Sequence, residues 1–127
     1  MPQQSLITVA RVLIASVFIV IGGERLLIGF GLLHYGSDFS AVVLIISALE
    51  VLAGLLIALG WQLRILSAIM ALLMLADAIG SHPFWAVEAA QVHDQLLHFA
   101  KNMAIVGAFL LLVGMDSKNP DPRKQAD

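Results

Sequence analysis

Residues 39–59 read FSAVVLIISALEVLAGLLIAL, an apolar run that a single ionisable side chain, Glu50, interrupts. A transmembrane α-helix needs about 20 consecutive, mostly apolar residues to cross the hydrocarbon core of a bilayer. The run has that length, and Gly60 follows it directly, where a glycine is typical of a helix C-cap. The stretch therefore predicts a helix that spans a membrane.

Three further apolar runs flank this stretch, at residues 6–28, 63–80 and 96–115. In lipid the backbone polar groups must bond within the protein, which favours helices. We therefore predict an all-α fold, an integral membrane four-helix bundle. It forms one domain of residues 1–115, followed by a polar cytoplasmic tail of residues 116–127.

The segments between the spans carry the remaining topological signals. Residues 85–95 mix polar and apolar side chains and predict an interfacial helix that leads into the last span.

The positions of Lys and Arg predict the orientation of the chain, because these residues concentrate on the cytoplasmic side of membrane proteins. They occur in the second loop, as Arg64, and in the tail, whereas the first and third loops contain none. We therefore expect the N and C termini in the cytoplasm.

Composition excludes several classes of function. Hydrophobic residues make up 60% of the 127 residues and charged residues 13%, about half the charged share of a soluble domain. The net charge of −2 and the lack of a basic cluster exclude nucleic-acid binding. The chain has no cysteine, which excludes thiolate chemistry and iron–sulfur clusters. A redox role would need a bound organic cofactor, a haem or a partner subunit.

Ionisable residues inside the spans are the strongest candidates for function, because a charge at the centre of a spanning helix costs about 2.5–3.5 kcal/mol. At a rise of 1.5 Å per residue, polar side chains from several segments fall at one depth near the outer surface. These are Glu24, Arg25, Asp77, His82, His98, Lys101 and Asn102. Together they predict a charge-neutral polar layer. The alternative is a structural role, with bases that reach the lipid headgroups and acids that neutralise them.

Three other ionisable residues lie deeper or on the opposite side. Arg11 and Arg64 fall in the cytoplasmic third, and Glu50 falls near the midplane. Glu50 is predicted to be either protonated and hydrogen-bonded or paired with Arg11. Arg64 is expected to reach the inner headgroups.

The last span carries polar side chains on one face. Asp94, His98, Lys101 and Asn102 recur at helical spacing, so Asp94 is expected to orient the ring of His98. His98 and Lys101 would then donate hydrogen bonds to a ligand carbonyl. A haem held by His82 and His98, or a mixed metal site that adds Asp77, is disfavoured, and we predict no metal site.

The motifs also carry a resemblance. The first span contains an arginine and a glycine pair. After it come EVLAGLLIALG at residues 50–60, then Arg64, and then KNMAIVG at residues 101–107. In this order and spacing the chain resembles the DoxX family of small bacterial membrane proteins, which includes DoxD-like subunits. The resemblance implies four membrane helices in the inner membrane of a bacterium. It also implies links to quinone-coupled oxidation, membrane oxidoreductase complexes and stress from quinone-like compounds. It points to Arg11, Glu50, Arg64, His82, Lys101 and Asn102 as site residues.

The leading functional hypothesis is a subunit of a membrane oxidoreductase system that binds a quinone or a similar small apolar molecule, with no covalently bound cofactor. Catalytic roles are predicted for Glu50, Asp77, His98 and Lys101. Binding roles are predicted for Arg11, Glu24, Arg25, His82 and Asn102. Expected partners are the lipid bilayer, a membrane or peripheral oxidoreductase subunit, and further copies of the chain. The alternatives are a non-catalytic scaffold or assembly factor and a small-solute transporter with Glu50 at its centre.

Overall fold

The computed structural model describes residues 2–116, which contain four α-helices and no β-strand. The helices are α1 (Gln3–Gly29), α2 (Ala41–Leu59), α3 (Leu63–Ser81) and α4 (Ala89–Asp116). Each is long and apolar enough to cross a bilayer, which confirms the predicted all-α, four-helix membrane fold. The predicted tail lies outside the described residues, apart from residue 116 at the end of α4.

The helices pair into two hairpins, Met1–Gln62 and Leu63–Asp127. In the first hairpin α1 packs against α2, and in the second α3 packs against α4. Short connections between consecutive helices favour antiparallel neighbours. Each hairpin therefore has its own interhelical interface. The single domain of residues 1–115 stays a prediction.

Glycines let α1 and α2 approach closely. A Cβ atom on Gly22 would lie 2.9 Å from the carbonyl oxygen of Ser47 and 2.9 Å from Cγ2 of Val51. A Cβ atom on Gly54 would lie 3.1 Å from the carbonyl oxygen of Ala15. Neither position has room for a methyl group without a shift of its neighbours. In lipid, small residues of this kind allow van der Waals packing of two backbones.

Arg11 of α1 covers the C-terminal end of α2. Its Nε donates a hydrogen bond to the carbonyl oxygen of Ala58 at 3.1 Å. Gly60 follows in the left-handed conformation, with a φ of 81°, which confirms the predicted C-cap glycine. A guanidinium here satisfies a carbonyl that has no partner within the helix and stabilises the negative end of the helix dipole.

Apolar side chains and aromatic rings hold the second hairpin together. Its buried apolar residues are Met70, Ala71 and Ala78 of α3 and Val106, Phe109 and Leu112 of α4. Beyond the end of α3, the rings of Phe84, Trp85 and Phe99 pack edge to face, with centroids 5.1 Å to 5.9 Å apart. Edge-to-face packing is a favoured geometry for aromatic rings, so these three side chains help to fix the connection between α3 and α4.

The last helix begins earlier than the sequence predicts. The helical segment expected at residues 85–95 is helical from residue 89, where it forms the first turns of α4 and continues into the last span without a break. Its 28 residues give a length of about 42 Å, against about 30 Å for the hydrocarbon core. The 19 residues of α3 give about 28 Å. Because His82, just after α3, contacts Gln95, the turns of α4 before Gln95 extend beyond the end of α3.

Replacement of Gly22 by alanine should destabilise the protein, because the added methyl group meets a backbone oxygen that cannot move aside. We expect a loss of about 1–3 kcal/mol in the free energy of unfolding. Gly23→Ala is the matched control, since a Cβ there meets nothing within 4 Å and alanine favours a helix over glycine. SDS-induced unfolding in mixed micelles measures both variants. Equal losses would contradict a close approach at Gly22.

Replacement of Arg11 by methionine should lower the free energy of unfolding by about 1 kcal/mol, since the end of α2 loses a hydrogen bond and a stabilising charge. Arg64→Met is the control. Arg64 is exposed and has no hydrogen bond or ion pair among residues 2–116. The same unfolding titration compares the two variants, and a larger loss for Arg64→Met would refute the capping role of Arg11.

Candidate functional site

Arg25 of α1 and Glu50 of α2 form an ion pair across the first hairpin. Nη1 of Arg25 lies 3.3 Å from Oε2 of Glu50. The predicted pairing of Glu50 with Arg11 is wrong, and the reason is helix register. The antiparallel packing that puts Arg11 beside Ala58 leaves Glu50 eight residues away along α2, about 12 Å. Gly22, one turn before Arg25, packs directly against this part of α2.

Glu24 has a different partner from Arg25, its neighbour in the chain. The phenol oxygen of Tyr35, in the connection between α1 and α2, donates a hydrogen bond to Oε1 of Glu24 at 2.9 Å. This bond and the negative charge of Glu24 raise the pKa of Tyr35 above its ordinary value of 10.0. Tyr35 is not among the site residues predicted from the sequence, because the conformation of a loop does not follow from helical spacing.

The second hairpin contains a group of neighbouring polar side chains that we call the Asp77 cluster. Its members are Asp77, Ser81, His82, Gln95, His98 and Asn102. Nδ2 of Asn102 donates to Oδ2 of Asp77 at 2.7 Å, and Oγ of Ser81 donates to Oδ1 at 2.7 Å. Both oxygens of the carboxylate therefore accept a hydrogen bond, one from each helix of the hairpin.

His82 connects this carboxylate to α4. Its Nε2 lies 3.8 Å from Oδ2 of Asp77, and its Nδ1 lies 3.0 Å from Oε1 of Gln95. With the proton on Nδ1, the ring donates this hydrogen bond to the amide oxygen, which only accepts. Asp77, His82 and Gln95 thus form a row of polar groups that runs from the last turn of α3 to the outer turns of α4.

His98 stacks on His82. The ring centroids are 4.9 Å apart and the planes are inclined by 16°. Stacked rings direct their nitrogen atoms along the ring planes, so these two side chains do not face a common haem iron. Across residues 2–116, no group of three His, Asp or Glu side chains is placed to hold a metal ion.

The expectations for the polar side chains Asp94, Lys101 and Asn102 of α4 have different outcomes. The predicted bond between Asp94 and His98 is wrong within the part of the chain that the structure describes, where His98 stacks on His82 instead. Asn102 binds Asp77, whereas Lys101, its neighbour, is exposed and forms no ion pair with any described residue. Glu24 and Arg25 are bonded within the first hairpin and Asp77 within the second, and the predicted layer across all four helices stays a prediction.

Sequence reasoning placed four members of the Asp77 cluster at one depth, namely Asp77, His82, His98 and Asn102. It missed Ser81 and Gln95. Helical spacing contained a signal for both, since Ser81 lies four residues after Asp77 and Gln95 lies three residues before His98. Polar residues at such positions share a helix face with the candidates already chosen.

Comparison with known proteins supports a membrane location. No family model matches the chain, and no solved structure matches it. The chain is 30% identical over 112 residues to the inner membrane protein YphA of Escherichia coli (strain K12). The match covers 84% of this chain and 80% of YphA. With four helices able to span a bilayer, the chain is a multi-pass protein of the bacterial inner membrane, and it belongs to the same family as YphA.

Proposed function

We propose that the chain is a DoxX-like subunit of a membrane oxidoreductase system, and that it binds a quinone or a similar small apolar carbonyl compound at the Asp77 cluster. The observation that supports this best is the row of Asp77, His82 and Gln95 at the end of an apolar hairpin, in which the His82 ring lies 3.8 Å from the carboxylate and 3.0 Å from the amide oxygen. Small-molecule sites combine apolar walls with a few convergent polar groups. The rings of Phe84, Trp85 and Phe99 supply apolar surface beside this row.

The depth of the cluster suits such a ligand. Asn102 bonds to the last full turn of α3, and Gln95 lies level with His82, just beyond that helix. The length of α3 matches the hydrocarbon core, so the cluster lies at the border between acyl chains and headgroups. An apolar ring with carbonyl oxygens can reach this border from within the bilayer. With the termini in the cytoplasm, the cluster would lie on the periplasmic side.

The contacts suggest a role for each side chain. His98 and Lys101 are exposed on α4 and are available to a ligand. Reduction of a quinone carbonyl takes up protons together with electrons, and the electrons would come from the partner oxidoreductase subunit. His82, with Nε2 3.8 Å from the carboxylate of Asp77, would exchange protons with it through one bridging water molecule. We assign Arg11 and the Arg25–Glu50 ion pair to helix register, not to ligand contact.

Trp85 provides a local reporter of ligand binding, because its ring packs on Phe99 beside the cluster. The chain has two tryptophans, so Trp61→Phe leaves Trp85 as the only one. Titration of this variant in nanodiscs with a short-chain ubiquinone should give saturable quenching. His98→Leu in the same background should weaken binding by about tenfold, the effect of about 1.4 kcal/mol, since a ring contact and a donor are lost.

Two controls separate binding from partition of the quinone into lipid. His93→Leu removes an exposed histidine from the same helix and should leave the affinity unchanged. Trp85→Phe leaves Trp61 as the reporter and should show only the linear quenching of a dissolved quinone. Linear quenching in both tryptophan backgrounds, or equal affinities of His98→Leu and His93→Leu, would refute binding at the Asp77 cluster.

A non-catalytic scaffold is the second candidate. It is favoured by the ion pair of Arg25 with Glu50, which joins α1 to α2 and leaves both charges compensated. Such a pair fixes register without any chemistry. A transporter is less favoured, because transport sites often lie at broken helices, whereas the four helices described here are continuous.

The ion pair can be tested by a double-mutant cycle. Arg25→Met and Glu50→Leu should each lower the free energy of unfolding by about 1–3 kcal/mol, because each leaves a charged or polar group without its main partner. The double variant should recover most of that loss, since both partners are then apolar.

Two further measurements distinguish the scaffold from the quinone site. Mild-detergent pull-downs show whether the double variant retains a stoichiometric oxidoreductase partner, and an activity assay shows whether His98→Leu retains full activity of that partner. If both are retained, the scaffold candidate is supported over the quinone site.

A further inference from the structure

Lys101 is a cation in the second hairpin without a compensating carboxylate. Its side chain is exposed, and among residues 2–116 it forms no ion pair. The nearest acid on the facing helix, Asp77, already accepts hydrogen bonds from Asn102 and Ser81. Asp94, on the same helix, lies seven residues away, about 10 Å along the axis. The positive charge of Lys101 is therefore open to an external anion.

His98 lies one turn before Lys101 and offers a flat surface. One face of its ring stacks on His82 with a centroid separation of 4.9 Å, and the side chain is otherwise exposed in the hairpin. Residues three apart on a helix are neighbours, with Cβ atoms about 5–6 Å apart. An aromatic ring stacked on the open face of His98 would therefore have its edge within reach of the ammonium group of Lys101.

We propose that the preferred ligand is a planar ring that carries an ionised oxygen, such as a hydroxylated quinone in its enolate form. The inference rests on the proposed function and specifies the ligand class of that site. The ring forms the third member of the stack with His82 and His98, and Lys101 binds the anionic oxygen. Attraction between opposite charges strengthens at the border of the hydrocarbon core, where the dielectric constant is below that of water.

Two matched ligands test the charge. The ligand 2-hydroxy-1,4-naphthoquinone is ionised at neutral pH, whereas 2-methoxy-1,4-naphthoquinone has nearly the same size and no charge. Each is titrated against the full chain with Trp61→Phe, in nanodiscs of zwitterionic lipid, with Trp85 fluorescence as the readout. Lys101→Met should weaken binding of the hydroxy compound by about tenfold, the effect of losing a bond to a charged group. Binding of the methoxy compound should change less than about twofold.

Two variants act as controls, and the outcomes are distinct. Lys101→Arg should keep the preference for the ionised ligand, and Arg64→Met, a loss of charge at the opposite end of α3, should leave it unchanged. If both ligands bind and respond equally to Lys101→Met, the anionic ligand class is refuted while the quinone site stands. If neither ligand binds the unaltered site, the proposed function fails and this inference fails with it.

Discussion

The free-energy cost of an unpaired polar group in lipid is the constraint on which both hairpins depend. In the first hairpin, Glu50 of α2 is compensated by Arg25 of α1. In the second, Asp77 of α3 is satisfied in part by Asn102 of α4. Each bond joins the two helices of one hairpin. The same interaction therefore removes the cost of burial and holds the neighbouring helix in one register.

Packing of small residues agrees with the register that the polar bonds require. Gly22 lets α1 approach the backbone of Ser47, and one turn later Arg25 lies beside Glu50. A slip of α1 by one residue along α2 would rotate α1 by about 100°. The slip would separate the charges of Arg25 and Glu50, and it would also move a larger side chain into the contact that Gly22 makes. Since both effects penalise the same slip, local packing and electrostatics favour one structure.

The sequence predicts the helices better than it predicts the contacts between them. Apolar runs locate α2 and α3 to within two residues of their bounds, because hydrophobic length is a property of one segment. Polar residues at 89–95 conceal the continuity of α4. Depth along a helix correctly groups Asp77, His82, His98 and Asn102, but depth does not fix rotation. The Arg11–Glu50 pairing fails for this reason, since it needs the register of two helices.

The Arg25–Glu50 ion pair and the Asp77 cluster differ in whether they leave polar side chains available to a ligand. Arg25 and Glu50 compensate each other between the two helices of the first hairpin, and such a pair serves register whether or not a ligand is present. In the Asp77 cluster the contacts continue from Asn102 to the carboxylate, to His82 and to Gln95 at the bilayer border, with the stacked ring of His98 beside them. Helix register alone would be served by the bond between Asn102 and Asp77. The remaining contacts, together with the uncompensated charge of Lys101, are the observations that support the proposed ligand site in the second hairpin.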